Sequence, residues 1–132
     1  MFIKNSRSEI SANYHQSMTL KLLVIRSANP QTLSEFYAVL GLAFEYHCHG
    51  NSPMHYSADM NGTTLEIYPL TKSQQEPDRN LRLGFSTGDF ETVIQTLRSM
   101  DIKIHTEPTN TDFGYMAVVG DPDGRKIEIY KN

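Results

Sequence analysis

Apolar and polar residues follow two patterns along the chain, and each pattern predicts one type of element. Apolar residues three and four positions apart predict a helix over residues 30–40 and a second from Asp89 to Met100. Short apolar or alternating segments predict eight strands, at residues 20–27, 42–48, 54–60, 63–68, 81–87, 102–106, 115–120 and 126–130. The polar, proline-containing residues 69–80 and 107–114 are predicted to be a linker and a loop.

Turn and cap residues agree with these boundaries. Asn29 precedes a proline and is a suitable N-cap for the first helix, Gly41 can end that helix, and Asp89 can cap the second. The dipeptides at 61–62 and 123–124 are Asn-Gly and Asp-Gly, which are strong hairpin signals.

The order of elements occurs twice. The segment DMNGTTLEIY at residues 59–68 returns as DPDGRKIEIY at residues 121–130, and the helix positions repeat at a similar distance. The chain is therefore predicted to be α+β, with two tandem β-α-β-β-β modules. Two such units can share one sheet and cover it with their helices, since each alone would expose an apolar face.

The repeated strands carry a glutamate on one face. Side chains alternate across a strand, so aliphatic residues face one way while Glu66 and Tyr68, or Glu128 and Tyr130, face the other. If the sheet curls, this second face becomes a concave wall on which the two carboxylates converge. The alternative is that both are ordinary solvent-exposed glutamates.

Composition limits the classes of function. The chain has 132 residues, 39% of them hydrophobic, and a net charge of −3 without clustered Lys or Arg, which argues against a nucleic-acid surface. No apolar segment approaches a membrane span. Cys48 is the single cysteine, so an intrachain disulfide is excluded and a cytoplasmic location is expected. Residues 1–17 are polar and predicted to be a flexible N-terminal arm before a single domain at 18–132.

At this point the sequence resembles a known family. PQTLSEFYAVLGL at residues 30–42 and GDPDGRKIEIY at residues 120–130 are similar to the vicinal oxygen chelate superfamily, which includes glyoxalase I, bleomycin-resistance proteins and extradiol dioxygenases. The resemblance covers about residues 20–131. It implies modules at about 20–68 and 81–131 that form a curved, cup-shaped mixed sheet with the helices on its outer face. It also implies a homodimer and a small-molecule ligand in the cup.

The resemblance further implies a metal site, with one ligand on the first and one on the last strand of each module. These positions fall on Leu22 and Glu66 in the first module and on Arg82 and Glu128 in the second. Leucine has no donor atom and arginine stays cationic, so we expect no metal and instead an ion pair from Arg82 to Glu66 or Glu128. If an ion were bound there, Glu66 and Glu128 would hold it.

A second group of possible ligands lies in the first module. His47 and His49 share one face of a predicted strand, and His55 follows closely, but an exposed histidine pair is commoner than a metal site. Cys48 lies between them and faces the other way, which disfavours a catalytic thiol.

Three functions remain open. The first is a small-molecule binding protein whose ligand contacts Arg82, Glu66, Glu128, Tyr68, Tyr130 and the loop residues Phe113 and Tyr115. The second is a glyoxalase-like lyase or isomerase with Glu66 or Glu128 as general base. The third is a dimeric interaction protein with a vestigial cup. The missing opening ligands favour the first.

Overall fold

The computed structural model describes residues 18–132, and these form two modules of the same β-α-β-β-β order. The predicted arm at residues 1–17 lies outside the described residues. The first module contains β1 (Leu22–Ser27), α1 (Pro30–Val39), β2 (Glu45–His47), β3 (His55–Met60) and β4 (Thr63–Pro69). The second contains β5 (Leu83–Thr87), α2 (Phe90–Ser99), β6 (Ile104–Thr111), β7 (Gly114–Gly120) and β8 (Lys126–Lys131).

Each module builds its own mixed sheet. Sheet A has the order β1-β4-β3-β2 and sheet B has the order β5-β8-β7-β6, each with four strands. In both, the first strand pairs in parallel with the last, and the other pairs are antiparallel. The α+β fold with two tandem modules is thus confirmed, but the expectation of one shared sheet was wrong: among residues 18–132 each module has its own four-stranded sheet, and the modules join through the core.

The predicted turn and cap residues are in place in the first module. The Asn29 side chain accepts a hydrogen bond from the Thr32 amide at 3.2 Å, and α1 ends before Gly41, whose φ is +113°. Asn61 and Gly62 have φ of +51° and +100°, as a tight hairpin between twisted strands requires. In the second module Asp89 occupies the N-cap position of α2, but its side chain makes no capping hydrogen bond.

The prediction of a loop at residues 107–114 was wrong. Strand β6 continues to Thr111, and Thr109, Asn110 and Thr111 pair with β7. The segment reads as a loop because it is polar and contains Pro108, but an edge strand tolerates both. Register shifts between Ile104 and Thr109 show that the ladder is irregular there.

One hydrophobic core joins the two modules. It is formed by the aliphatic faces of both sheets and the apolar faces of both helices, and its buried residues include Ile25, Leu33, Phe36, Leu65, Ile67, Phe90, Leu97, Ile127 and Ile129. Neither α1 nor α2 has the length and apolar character needed to cross a membrane, nor does any other helix in residues 18–132.

A buried arginine at the closing turn of the second module connects it to the first. Arg125 is 1% exposed, and its Nη1 lies 3.2 Å from Asp121 Oδ2 and 3.4 Å from Asp123 Oδ2. Its Nη2 donates to the Arg26 carbonyl at the end of β1, at 2.5 Å. The turn is therefore part of the junction between modules.

The two aspartates of this turn contact the first module directly. Asp123 Oδ1 accepts a hydrogen bond from the Ala28 amide at 3.1 Å, and the Tyr37 hydroxyl donates to Asp121 Oδ2 at 3.1 Å. Burial, and next the charge of Asp121, raise the pKa of Tyr37, so the phenol stays a donor. In the first copy of the repeat, Asp59 only accepts from the Gly62 amide within its own exposed turn. The repeated turn therefore closes an exposed hairpin in the first module and forms a buried contact between the modules in the second.

Candidate functional site

The strand glutamates lie on the sheet faces that point away from the helices and the core. Leu65 and Ile67 of β4 are buried in the core, which puts Glu66 on the opposite face of sheet A. Glu128 is placed in the same way on sheet B, between the buried Ile127 and Ile129. The predicted alternation is confirmed, and the surroundings of the two carboxylates can be compared.

On sheet B, Glu128 is held by two donors. Arg82 Nε donates to Glu128 Oε2 at 2.7 Å, and the Tyr130 hydroxyl donates to Glu128 Oε1 at 2.5 Å. These three side chains form one hydrogen-bonded chain on a partly exposed surface. Arg82 thus pairs with Glu128, one of the two partners expected from the sequence.

Both donors stabilise the charged form of Glu128. The hydrogen bond from Tyr130, and after it the hydrogen bond from Arg82, lower the pKa of Glu128 below its usual value. The same hydrogen bond raises the pKa of Tyr130. A carboxylate held in this way is a weak base, which disfavours Glu128 as a general base.

Tyr130→Phe will raise the pKa of Glu128, and Arg82→Met will raise it by a smaller amount. Since the folded-state pKa is lowered, this contribution to stability is present above the unfolded-state pKa and is lost as pH falls through the folded-state pKa. Both variants should therefore lose less stability than the wild type on acidification. Carbon-detected NMR titration of the glutamate carboxyls measures the pKa directly.

Arg98→Met is the matched control for this titration, because Arg98 pairs with Glu107 at an exposed position away from Glu128. It should raise the pKa of Glu107, which Arg98 lowers, and leave that of Glu128 unchanged. An unchanged Glu128 titration in both Tyr130→Phe and Arg82→Met would contradict the described hydrogen bonds.

An open cleft lies next to this chain of side chains. It has a volume of about 560 Å³ and is lined by Gly84, Phe85, Ser86, Phe113, Tyr130 and Lys131. Phe113 at the tip of the β6–β7 hairpin is 85% exposed. Gly84 of β5 lies beside this chain of side chains, since a Cβ at position 84 would lie 3.7 Å from both Glu128 Cβ and Tyr130 Cε1.

Tyr115 does not join this cleft. Its ring lies 5.3 Å from that of Phe90 at the start of α2, on the helix side of sheet B. It therefore shares the face of Ala117 and Val119, opposite to Tyr130. Of the two aromatic residues predicted from the loop, Phe113 alone lines the cleft with Tyr130.

On sheet A, Glu66 has different neighbours. Its Oε2 lies 3.6 Å from His55 Nε2, and no hydrogen bond or ion pair among residues 18–132 joins it to Arg82 or Glu128. The structure therefore gives the two carboxylates separate surroundings. Tyr68 shares the face of Glu66, and its ring stacks on His55 at 4.1 Å.

Glu66 is part of a group that we call the histidine cluster, formed by His47, His49, His55 and Glu66. One ligand atom from each lies within 4.8 Å of the others. The sequence indicated the three histidines as neighbours but did not connect them with Glu66. The connection comes from strand pairing, which sets His47 opposite His55 and brings β4 alongside β3. Cys48 is exposed and is outside this group.

The positions that the family resemblance assigns to a metal do not fit one. Leu22 has no donor atom, and Arg82 is engaged by Glu128. The residues paired directly with Glu66 and Glu128 on the first strands are Val24 and Gly84, which also lack side-chain donors. No shared ion can be assigned to this set of residues.

Comparison with known proteins gives a family and a fold. Residues 19–129 match the model of the Glyoxalase/Bleomycin resistance protein/Dioxygenase superfamily. No curated protein matches the chain.

Several solved structures share the fold. TnmS3, an antibiotic binding protein from Streptomyces sp. CB03234, is 20% identical with a TM-score of 0.70, over 89% of this chain and 98% of TnmS3. Oxidase ChaP-H2 is 18% identical with a TM-score of 0.72, over 89% and 95% of the two chains. TioX from Micromonospora sp. ML1 is 12% identical with a TM-score of 0.65, over 85% and 97%. At these identities the likeness concerns the fold alone.

Proposed function

The chain belongs to the glyoxalase/bleomycin resistance protein/dioxygenase superfamily, and we propose that it binds a small polar organic molecule in the cleft of the second module. The observation that carries this proposal is the pairing of an exposed aromatic ring with a fixed polar group. Phe113 is exposed beside the cleft, and Tyr130 connects the cleft to Glu128 and Arg82. Ligand sites of proteins combine such apolar walls with a few placed polar groups.

The charges favour a ligand with both an aromatic or apolar part and polar substituents. Glu128 offers acceptor oxygens beside the cleft, while the ammonium of Lys131 is already paired with Glu91 Oε2 at 2.9 Å. Phe113 provides flat apolar surface for stacking, whereas the ring of Phe85 packs toward Tyr37 of the core, 5.7 Å away. TnmS3, a protein of the same fold, is an antibiotic binding protein, which supports this ligand class as a starting point.

Binding is favoured over catalysis because the cleft has no free base among its lining residues. Glu128 is held by two donors that lower its pKa, and Leu22 and Arg82, two of the four family metal positions, cannot coordinate a metal ion. A lyase in which Glu66 is the base remains the second candidate, since no residue of 18–132 donates to Glu66 as Arg82 and Tyr130 do to Glu128, and His55 Nε2 lies 3.6 Å away. A homodimer also remains a proposal, and we assign its contact surface to β1, an edge strand whose Leu22 and Val24 are exposed.

A thermal-shift screen of aromatic natural products against the 132-residue protein tests the proposal. A ligand of the cleft should raise the melting temperature, and above its Kd the rise should grow with the logarithm of the ligand concentration. For any such ligand, Phe113→Ser should weaken binding by about 1 kcal/mol, or roughly fivefold, through loss of aromatic contact. Isothermal titration calorimetry gives the affinities.

Met100→Ser is the matched control, because Met100 is an exposed apolar residue after α2 and does not line the cleft. It should leave the affinity unchanged. Ligands that bind Phe113→Ser and Tyr130→Phe as tightly as the wild type would place their site elsewhere, and a screen without any ligand would favour the interaction protein.

A further inference from the structure

Three imidazoles and one carboxylate meet on the face of sheet A that points away from the helices, and the proposed ligand cleft of the second module contains none of them. They are the histidine cluster of His47, His49, His55 and Glu66, with ligand atoms within 4.8 Å of one another. We propose that this cluster binds one divalent transition-metal ion, with Zn²⁺ as the ion that fits best. The proposal concerns the other module and does not rest on the proposed function.

Two buried imidazole nitrogens of the cluster lack hydrogen-bond partners among residues 18–132. His55 is 0% exposed, and its Nδ1 lies 3.0 Å from the Pro53 carbonyl, which can only accept. This contact places a proton on Nδ1, so in the neutral imidazole Nε2 presents a lone pair toward the Glu66 carboxylate at 3.6 Å. The Nε2 atoms of both His55 and His47 are buried without a hydrogen-bond partner. Neutral imidazole nitrogens facing a carboxylate are satisfied by a cation between them, and a metal ion would supply it for His47, His55 and Glu66 together.

The cluster offers the kinds of ligand atom that zinc sites in proteins use. Imidazole nitrogen and carboxylate oxygen are common ligands of Zn²⁺, with bonds of about 2.0–2.2 Å, so tetrahedral donors lie about 3.4 Å apart. The four donor atoms of the cluster lie at most 4.8 Å apart, so their separations exceed those of a tetrahedral zinc site by up to roughly 1.4 Å. His49 is exposed, and its ring centroid lies 4.7 Å from that of His47 and 5.2 Å from that of His55. Its backbone is held by Ser52, whose Oγ accepts from the His49 amide at 2.8 Å.

The ring of His55 is already oriented as a metal ligand would be. Its ring stacks on Tyr68 with centroids 4.1 Å apart and planes 9° apart, and the Pro53 carbonyl fixes the other nitrogen. Metal-binding histidines generally have such a partner on the second nitrogen, which sets the tautomer and the direction of the ring.

Four protein donors would fill a tetrahedral site and leave no open position for a substrate. The ion would therefore connect β2, the turn after it, β3 and β4 as a structural clamp. Strand β2 has three residues and gains the most from such a clamp. Glu66 is the one donor that the cluster shares with the positions implied by the family resemblance, since β1 contributes none and the three histidines lie on or beside β2 and β3.

Zinc titration of the full chain tests this inference, with the protein free of any polyhistidine tag and stripped with EDTA. We expect about one zinc ion per chain by metal analysis, and a melting temperature that rises with added zinc. Glu66→Gln and His55→Gln should raise the Kd about 100-fold or more, since even partners behind the ligands are worth roughly 10–100-fold. His49→Gln should raise it about tenfold.

Two control variants use the chain's own residues. His105→Gln removes a histidine that is not in the cluster, and Cys48→Ser removes the thiol between His47 and His49. Both should keep the wild-type affinity, and cobalt-loaded protein should show a tetrahedral spectrum without thiolate charge transfer. If His55→Gln fails to fold, Glu66→Gln and the exposed His49→Gln decide the result. Absence of saturable zinc, nickel, cobalt or copper binding, or wild-type affinity in Glu66→Gln, would overturn the inference.

Discussion

Replacing Arg125 with methionine will lower the free energy of unfolding by about 3–5 kcal/mol, as measured by urea denaturation. The guanidinium is almost fully buried and faces two buried carboxylates, Asp121 and Asp123. Methionine fills similar space but leaves both carboxylates without their cation, and it removes the bond to the Arg26 carbonyl. Domains have stabilities of about 5–15 kcal/mol, so this loss is a large part of the total.

Arg98→Met is the control, since Arg98 also pairs with a carboxylate but is half-exposed. Exposed ion pairs contribute about 0–1 kcal/mol, so this variant should unfold at nearly the wild-type urea concentration. If Arg125→Met were no more destabilising than Arg98→Met, the buried junction between the modules would not have the described role.

Ile67→Ala will lower the free energy of unfolding by about 2–5 kcal/mol, because Ile67 is 0% exposed in the core between sheet and helices. The unfolding curve should keep one transition, since a single core contains residues of both modules. Urea curves followed by far-ultraviolet circular dichroism and by tyrosine fluorescence should therefore coincide.

Leu22→Ala is the comparison for this substitution. Leu22 is 50% exposed on the edge strand β1, so the variant should lose less than about 1 kcal/mol. Equal losses in the two variants would contradict the assignment of Ile67 to the core face of sheet A and of Leu22 to the opposite face. Two separate transitions in Ile67→Ala would show that the modules unfold independently.

The fold follows from the sequence because local signals and the repeat agree. The Asn61-Gly62 turn, the Asn29 cap and the alternation around Glu66 each predict an element that is present. Strand β6 is the exception. It is polar along most of its length and is a strand because β7 pairs with it, which no local pattern reveals.

The candidate site is less predictable because it depends on which strands become neighbours. The contact of Glu66 with His55 requires the pairing of β3 with β4, and the burial of Arg125 requires the packing of one module on the other. A signal for Arg125 was available, since aspartates precede it by two and four residues within one turn. The position of Tyr115 also follows from strand alternation, since the next residue, Met116, pairs with Tyr130 and shares its face of sheet B.

The central claim is that equivalent glutamates have diverged, with Glu66 in the histidine cluster and Glu128 fixed by Arg82 and Tyr130. Anomalous diffraction at the zinc edge, from crystals soaked in zinc chloride, tests it most directly. We predict a peak beside Glu66 and His55 and none between Glu128 and Arg82. A peak bound to Glu128, or Glu66 and Glu128 sharing one ion, would contradict it.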